Sequence, residues 1–216
     1  MKMMDENQVK LIVAEVLKGI ELRERIKTGK VPVGVSNRHI HVTQSDLETL
    51  FGKGYSLKDM KSLSQPGQFA AEECVIIAGP KGSIEKVRIL GPVRPETQIE
   101  ISMTDSYKLG VKGVVKNSGD ISGTPGCVVI GPKGTVILDK GVIVAARHVH
   151  MSTSEASQMG LKDLDLVSLK TSGSRSVTFN NVLVRVSDKF ALDFHIDTDE
   201  ANGAGLRNGD MVEIVA

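Results

Sequence analysis

The chain has 216 residues, 40% of them hydrophobic and 25% charged, which is enough to bury a core without disulfide staples and excludes a disordered chain. Its 27 Lys and Arg nearly cancel 26 Asp and Glu, and aromatics are only 3% with no Trp, so no global field or stacking platform exists for nucleic acid or an anionic membrane. Cys74 and Cys127 show no Cys-x-x-Cys spacing, no apolar run approaches a bilayer span, and Met1–Asn7 is too polar for a secretory signal, so the expectation is a cytoplasmic protein with no nucleic-acid and no membrane partner.

From Asp5 to about Lys27, Val9, Ile12, Val13, Val16, Leu17 and Ile20 recur at steps of three and four residues, which predicts an amphipathic helix ended by Thr28-Gly29-Lys30 and Pro32. Its apolar face suits packing on this chain, on a second subunit or on another assembly, and the pattern does not separate these. Beyond it come short Val- and Ile-rich runs divided by Gly, Pro, Asn and Asp. Strands are expected at Val31–Val35, Cys74–Ile77, Glu85–Leu90, Gln98–Ser102, Cys127–Ile130, Thr135–Leu138, Val142–Ala146, Leu164–Lys170, Arg175–Arg185 and Met211–Val215, a mainly β texture of barrels or sandwiches. Only Thr43–Leu50 and Ser152–Met159 otherwise look helical, each opened by an N-cap pattern. Two Gly-Pro-Lys-Gly tetrapeptides, Gly79–Gly82 and Gly131–Gly134, read as hairpin turns.

An internal repeat organises the rest. Arg38-His39-Ile40-His41-Val42-Thr43 returns as Arg147-His148-Val149-His150-Met151-Ser152, and Gln98–Asp105 lines up with Asp193–Glu200, which sets Glu100 opposite His195. Two homologous units follow. All five histidines fall in this doubled pattern. In an extended segment, His-x-His projects both rings from one face while Ile40 or Val149 points to the core. Two metal sites are expected, His39, His41 and Glu100 holding one ion and His148, His150 and His195 the other, with zinc first by ligand type. Three protein ligands leave a tetrahedral position open, and two divalent ions against one carboxylate leave a site that wants an anion. Arg94, between Pro92 and Pro95 on the approach to Glu100, is the candidate anion-binding side chain. No nucleophile elbow, Walker loop or dinucleotide fingerprint is present, and both cysteines sit in apolar runs where a buried, inert thiol is expected.

The paired Arg-His-x-His segments and the late Phe-His-Ile-Asp-x-Asp-Glu-Ala-Asn stretch resemble the PduL-type phosphate acyltransferases, from about Val31 to the C-terminus. The resemblance implies transfer of a propanoyl or acetyl group between coenzyme A and phosphate, two zinc ions on the two ligand sets, and phosphate contact by a catalytic Arg94. It implies coenzyme A contacts at Val35, Ser36, Asn37, Lys81, Arg88 and Asn202. It also implies two β-barrels with short helical caps, preceded by the N-terminal helix and linker (1–30). The first repeat (31–145) would form most of one barrel and the second (146–216) the other, completed by the strand at 31–37. Family members inside bacterial microcompartments also carry an N-terminal amphipathic helix, so shell or cargo proteins join acyl-coenzyme A and phosphate as expected partners, and enclosure and a homo-oligomer are compatible with the pattern. The competing readings are a metal-dependent hydrolase, disfavoured because amidohydrolase barrels need eight strand-helix units, and a non-enzymatic zinc-braced module of a larger assembly.

Overall fold

The computed structural model describes residues 8–14, 16, 17, 20 and 28–215. The predicted N-terminal helix is seen in residues 8–14 (α1) and again at 16, 17 and 20, while its remaining stretches, 5–7, 15, 18–19 and 21–27, lie outside the described residues. Apolar side chains on it, among them Leu11 and Leu17, are exposed. No helix among the described residues is long and apolar enough to cross a membrane.

The rest is mainly β. Six strands close a barrel in the order β1 (Lys30–Ser36), β14 (Asp193–Asp197), β11 (His148–Met151), β13 (Thr178–Val186), β12 (Leu166–Lys170), β15 (Met211–Val215), and β15 pairs back on β1. The first half forms a nine-stranded sheet. Its path runs β7 (Val115–Lys116), β10 (Val142–Ala145), β6 (Gln98–Glu100), β2 (His39–His41), β5 (Gly82–Gly91), β4 (Phe69–Gly79), β8 (Cys127–Ile130), β9 (Thr135–Leu138), with β3 (Asp59–Ser62) on β4.

The repeat seen in sequence is a repeat of topology. The path β10-β6-β2-β5-β4-β8 matches β1-β14-β11-β13-β12-β15 strand for strand, with the same parallel and antiparallel joints. Only the final joint differs. β15 closes on β1 by an antiparallel ladder, whereas the chain just before β8 reaches β10 through a single hydrogen bond from Val142 N–H to the Pro125 carbonyl, 2.9 Å. The first unit is therefore a half-barrel. Each unit also lends its lead strand to the other, since β1 precedes the first His-x-His yet lies in the second barrel, while β10 precedes the second His-x-His yet lies in the first sheet. This exchange brings the two His-x-His strands toward one another.

Each unit has its own core. Ile40 belongs to the first, with Val75, Ile77 and Ile99, and Val149 to the second, with Val182, Val184 and Phe194, each such side chain contributing about 1.5–3 kcal/mol by leaving water. Both tetrapeptides form turns: Gly79 pairs with Gly82 between β4 and β5, and Gly131 N–H bonds to Gly134 O between β8 and β9. Cys127 is buried and its thiol pushed up to about 11 by that burial, so it is inert at neutral pH.

Four short helices follow four strands, where the sequence pattern predicts two. Alongside the expected α2 (Gln44–Phe51) and α4 (Thr153–Met159) stand α3 (Met103–Leu109) and α5 (Thr198–Ala204). The additional pair are seven residues each, as short as the expected α4, so in all three the ends rather than any apolar periodicity mark the helix. Their ends carry the signals: Ser102 caps Asp105 N–H and Asp197 caps Glu200 N–H, and Gly110 and Gly205 close them in the left-handed region.

Candidate metal centre

The site is assembled by two antiparallel pairs at equivalent registers. On β2 and β6, His39 faces Glu100 and His41 faces Gln98; on β11 and β14, His148 faces His195 and His150 faces Asp193. Alternate residues share a face, so each pair presents three ligand-type side chains together. In both sets, His39, His41 and Glu100 and His148, His150 and His195, the ligand atoms lie within 4.8 Å of one another. Both sets contribute to one narrow cavity of about 30 Å³, Glu100 from the first and His148 and His195 from the second, with Ser36, Asn37 and Ala146 also in its wall.

Hydrogen bonds fix which ring nitrogen is free. His39 Nδ1–H donates to Asn37 O at 2.8 Å, His148 Nδ1–H to Ala146 O at 2.8 Å and His41 Nδ1–H to Leu90 O at 3.1 Å, leaving Nε2 lone pairs available. His195 is turned the other way: its Nε2 lies 3.0 Å from Asp193 Oδ2, which frees Nδ1. The buried Nδ1 of His150 has no hydrogen-bond partner. A buried imidazole nitrogen without a partner is costly unless something coordinates it. His39 Nε2 and Glu100 Oε2 are 3.5 Å apart. Ligand atoms about 2.0–2.1 Å from a tetrahedral zinc sit about 3.3–3.4 Å from one another, so the donor sets fit a divalent ion in type, protonation and spacing.

The electrostatics agree. Burial first, then the His39 and Arg94 charges, push His41 down to about 3. Burial and His195 push His148 down to about 4, and burial with His148 and His195 takes His150 down to about 2. Burial would raise the Glu100 carboxyl, but His39, His41 and the Ser118 hydroxyl outweigh it and hold it down to about 2. Neutral imidazoles beside an ionised carboxylate are the metal-ready state. The three depressed histidines make the metal-free protein acid-sensitive. An unfolded His titrates near 6.5, so below that pH the unfolded chain takes up protons that the folded site refuses, and stability present above about 6.5 is lost as pH falls toward about 4. In the presence of a chelator the melting temperature should fall between pH 7 and pH 5; a flat profile would contradict the neutral, buried assignment.

A polar shell the sequence reading gave no role supports both sets, and its charges are exchanged between them. Behind the anionic Glu100 stand neutral donors, Ser118 Oγ–H at 2.7 Å and Gln98 Nε2–H at 2.7 Å. Behind the His195 ring stands a carboxylate, Asp193, itself accepting from Ser64 of the first unit at 2.5 Å. Gly34 on β1 makes room for this, since a Cβ there would lie 2.8 Å from both Asp193 Oδ2 and His195 Cδ2. The motif arginines brace the frame. Arg38 Nε pairs with Asp105 Oδ2 and Arg147 Nη1 with Glu200 Oε1, both at 2.7 Å, so each ties the strand start to the acid at the N-terminus of α3 or α5. The sequence alignment of Gln98 with Asp193 and Asp105 with Glu200 carried this signal.

The remaining candidates spread outward. Arg94 donates its backbone N–H to Val42 O, and its partly buried guanidinium has no carboxylate within ion-pair distance among the described residues. Burial lowers its pKa, Glu100 opposes that, and the Arg185 charge adds to it. Ser36 and Asn37 line the narrow cavity. Val35 donates its N–H to Asn208 Oδ1, Lys81 is exposed at the β4–β5 turn, and Asn202 is exposed on α5. Arg88 is level with His39 on β5, but its Nη1 donates to the Ala71 and Glu72 carbonyls.

A family model described as phosphate propanoyltransferase matches residues 32–207. A phosphate propanoyltransferase of Thermotoga maritima is 58% identical over 184 residues, which span 85% of this chain and 88% of that protein. Those of Lachnoclostridium phytofermentans and Rhodopseudomonas palustris are each 50% identical, the first over 98% of this chain and 100% of its own length, the second over 86% and 82%.

Proposed function

The chain belongs to the phosphate propanoyltransferase family, and on that premise we propose that it moves a short acyl group, propanoyl or acetyl, between coenzyme A and inorganic phosphate at a two-zinc site. The observation that carries the reading is the pair of three-residue ligand groups contributing to one cavity, with Arg94, a guanidinium that makes no ion pair among the described residues, close enough to feel the Glu100 charge. His39, His41 and Glu100 would hold one zinc and His148, His150 and His195 the other. Bound zinc would supply Lewis-acid polarisation and neutralise developing negative charge.

The chain's own residues do the rest. Arg94 offers a planar fork of donors to the phosphate oxygens and holds them in line with the thioester carbonyl. A phosphate oxygen attacks the carbonyl carbon, the new C–O bond replaces the C–S bond, and coenzyme A leaves as a thiolate that takes up a proton in place of the one the hydrogen phosphate gives up. No acyl-enzyme is needed, and Cys127 is too deeply buried and too high in pKa to form one. Val35, Ser36, Asn37, Lys81, Arg88 and Asn202 are the proposed coenzyme A contacts, running from the cavity wall at Ser36 and Asn37 to the surface at Lys81 and Asn202. Enclosure of this cytoplasmic enzyme in a bacterial microcompartment, through the exposed apolar side chains of the N-terminal helix, belongs to the same proposal.

Thiol release from propanoyl- or acetyl-coenzyme A, followed with and without phosphate, tests the reaction. Release that requires phosphate is expected. Release independent of phosphate would mean hydrolysis, and none at all would leave the metal groups a bracing role.

A further inference from the structure

Among the described residues five arginines are partly buried, and they divide into two classes. Arg38 and Arg147 have carboxylate partners, and Arg88 has two carbonyls. Arg94 and Arg185 have no hydrogen-bond acceptor for their guanidinium groups among the described residues. Function has so far absorbed only Arg94.

Arg185 is placed by the same strand logic as the histidines. β13 runs parallel to β11 with Arg185 level with His150, so the two side chains leave the same face of neighbouring strands. In the first unit the corresponding position, two residues after Arg88, is Leu90, whose carbonyl holds His41. The second unit breaks that symmetry. His150 has no such bond and instead packs on the Phe190 ring, centroids 4.2 Å apart, while the Arg185 guanidinium carbon sits 5.8 Å from the same ring. Phe190 thus meets both the histidine and the arginine, and its ring attracts the cation. The charge of Arg185 is felt at Arg94, His148 and His150, and at each it is unfavourable. Asp163, which lines the same cavity as Arg185, accepts from Val186 N–H at 2.8 Å and makes no ion pair with the guanidinium. Arg185 opens onto a second cavity, of about 370 Å³, lined also by Asn117, Asp163, Leu183, Ser187 and Phe190, a volume in the range of small-ligand sites.

Arg94 and Arg185 repel one another, with Glu100 as the carboxylate that offsets the charge at Arg94, and a polyanionic ligand meeting both guanidinium groups would relieve that repulsion. We infer that Arg185 is a second anion-binding residue of this site and that, with Arg94, it holds the phosphoryl oxygens of a substrate. The inference rests on the acyltransferase reading for its substrates, which offer that chemistry twice, in inorganic phosphate and in the phosphates of coenzyme A.

The test compares metal-loaded wild type with Arg185→Ala and Arg185→Lys. A charge-assisted hydrogen bond lost at this position should raise one KM by at least about tenfold, with metal content and melting temperature unchanged and partial recovery in the lysine variant. A rise confined to phosphate assigns Arg185 to the acyl acceptor; a rise confined to coenzyme A assigns it to the carrier. Unchanged KM for both, or loss of bound metal in both variants, would overturn the inference. Calorimetric titration of inorganic phosphate and of coenzyme A into the same proteins separates this from the reaction itself. If wild type releases no thiol yet binds either ligand tenfold more tightly than Arg185→Ala, the residue assignment stands and the reaction fails; equal affinity for both ligands sinks the assignment.

Discussion

Replacing His150 with Gln is expected to halve the bound metal and to lower phosphate-dependent thiol release by about a thousandfold, the several kcal/mol that a Lewis acid supplies. His150 is the most informative ligand to change because its buried Nδ1 has no other partner, so no competing hydrogen bond is lost. Glutamine keeps much of the volume against Phe190, which separates loss of coordination from loss of packing. Metal-to-protein ratio and initial rate are the readouts. One ion per chain with full activity would show that the second ligand group is not part of the chemistry.

The second large effect is at Arg94. Substitution by Ala should raise the KM for phosphate by about a hundredfold, as expected when a desolvated guanidinium that meets an anion is removed, while metal content stays at the wild-type value. Lysine should recover little, because a point charge does not reproduce the two-pronged geometry. Initial rates against phosphate at saturating acyl-coenzyme A decide it. A KM that does not move would take Arg94 out of the phosphate site and leave Arg185 as the guanidinium to account for the anion.

How far this site is legible in the sequence depends on whether its parts lie along one strand or across several. Each His-x-His is a local pattern whose period alone puts both rings on one face, and the repeat then points to Glu100 and His195. The exchange of β1 and β10 is different in kind. Nothing within Val31–Val35 says which sheet it joins, and only likeness to a family placed the segment before the first His-x-His in the second barrel. Arg38 has the same character: its partner Asp105 is 67 residues away, so the motif advertised the arginine without saying what it holds. Asp193 could have been suspected from its alignment with Gln98, but its value lies in orienting a ring, which needs coordinates. In the sequence Arg185 is only the end of an expected strand, because its meeting with His150 depends on a parallel pairing that no spacing rule predicts. Short helices were missed for the opposite reason, since α3 and α5 carry clear caps but too few turns for periodicity.

Those long-range pairings also bear on stability. Ser64 and Gln65, from the connection between β3 and β4, bond to Asp193 and to both backbone groups of Ala191, which joins the first unit to the strand carrying His195. Thr104 N–H donates to Asp199 Oδ2 from α3 to α5, at 2.8 Å. The two ligand groups are therefore held in one frame, and a change that loosens this seam should disturb metal retention before it disturbs either core.

Counting metal in the purified chain tests the central claim most directly. Elemental analysis of protein prepared without chelator should give two divalent ions per chain, zinc foremost, falling to one on loss of either histidine pair. Protein that is folded and free of stoichiometric metal, and that takes up none when zinc is supplied, would contradict the account.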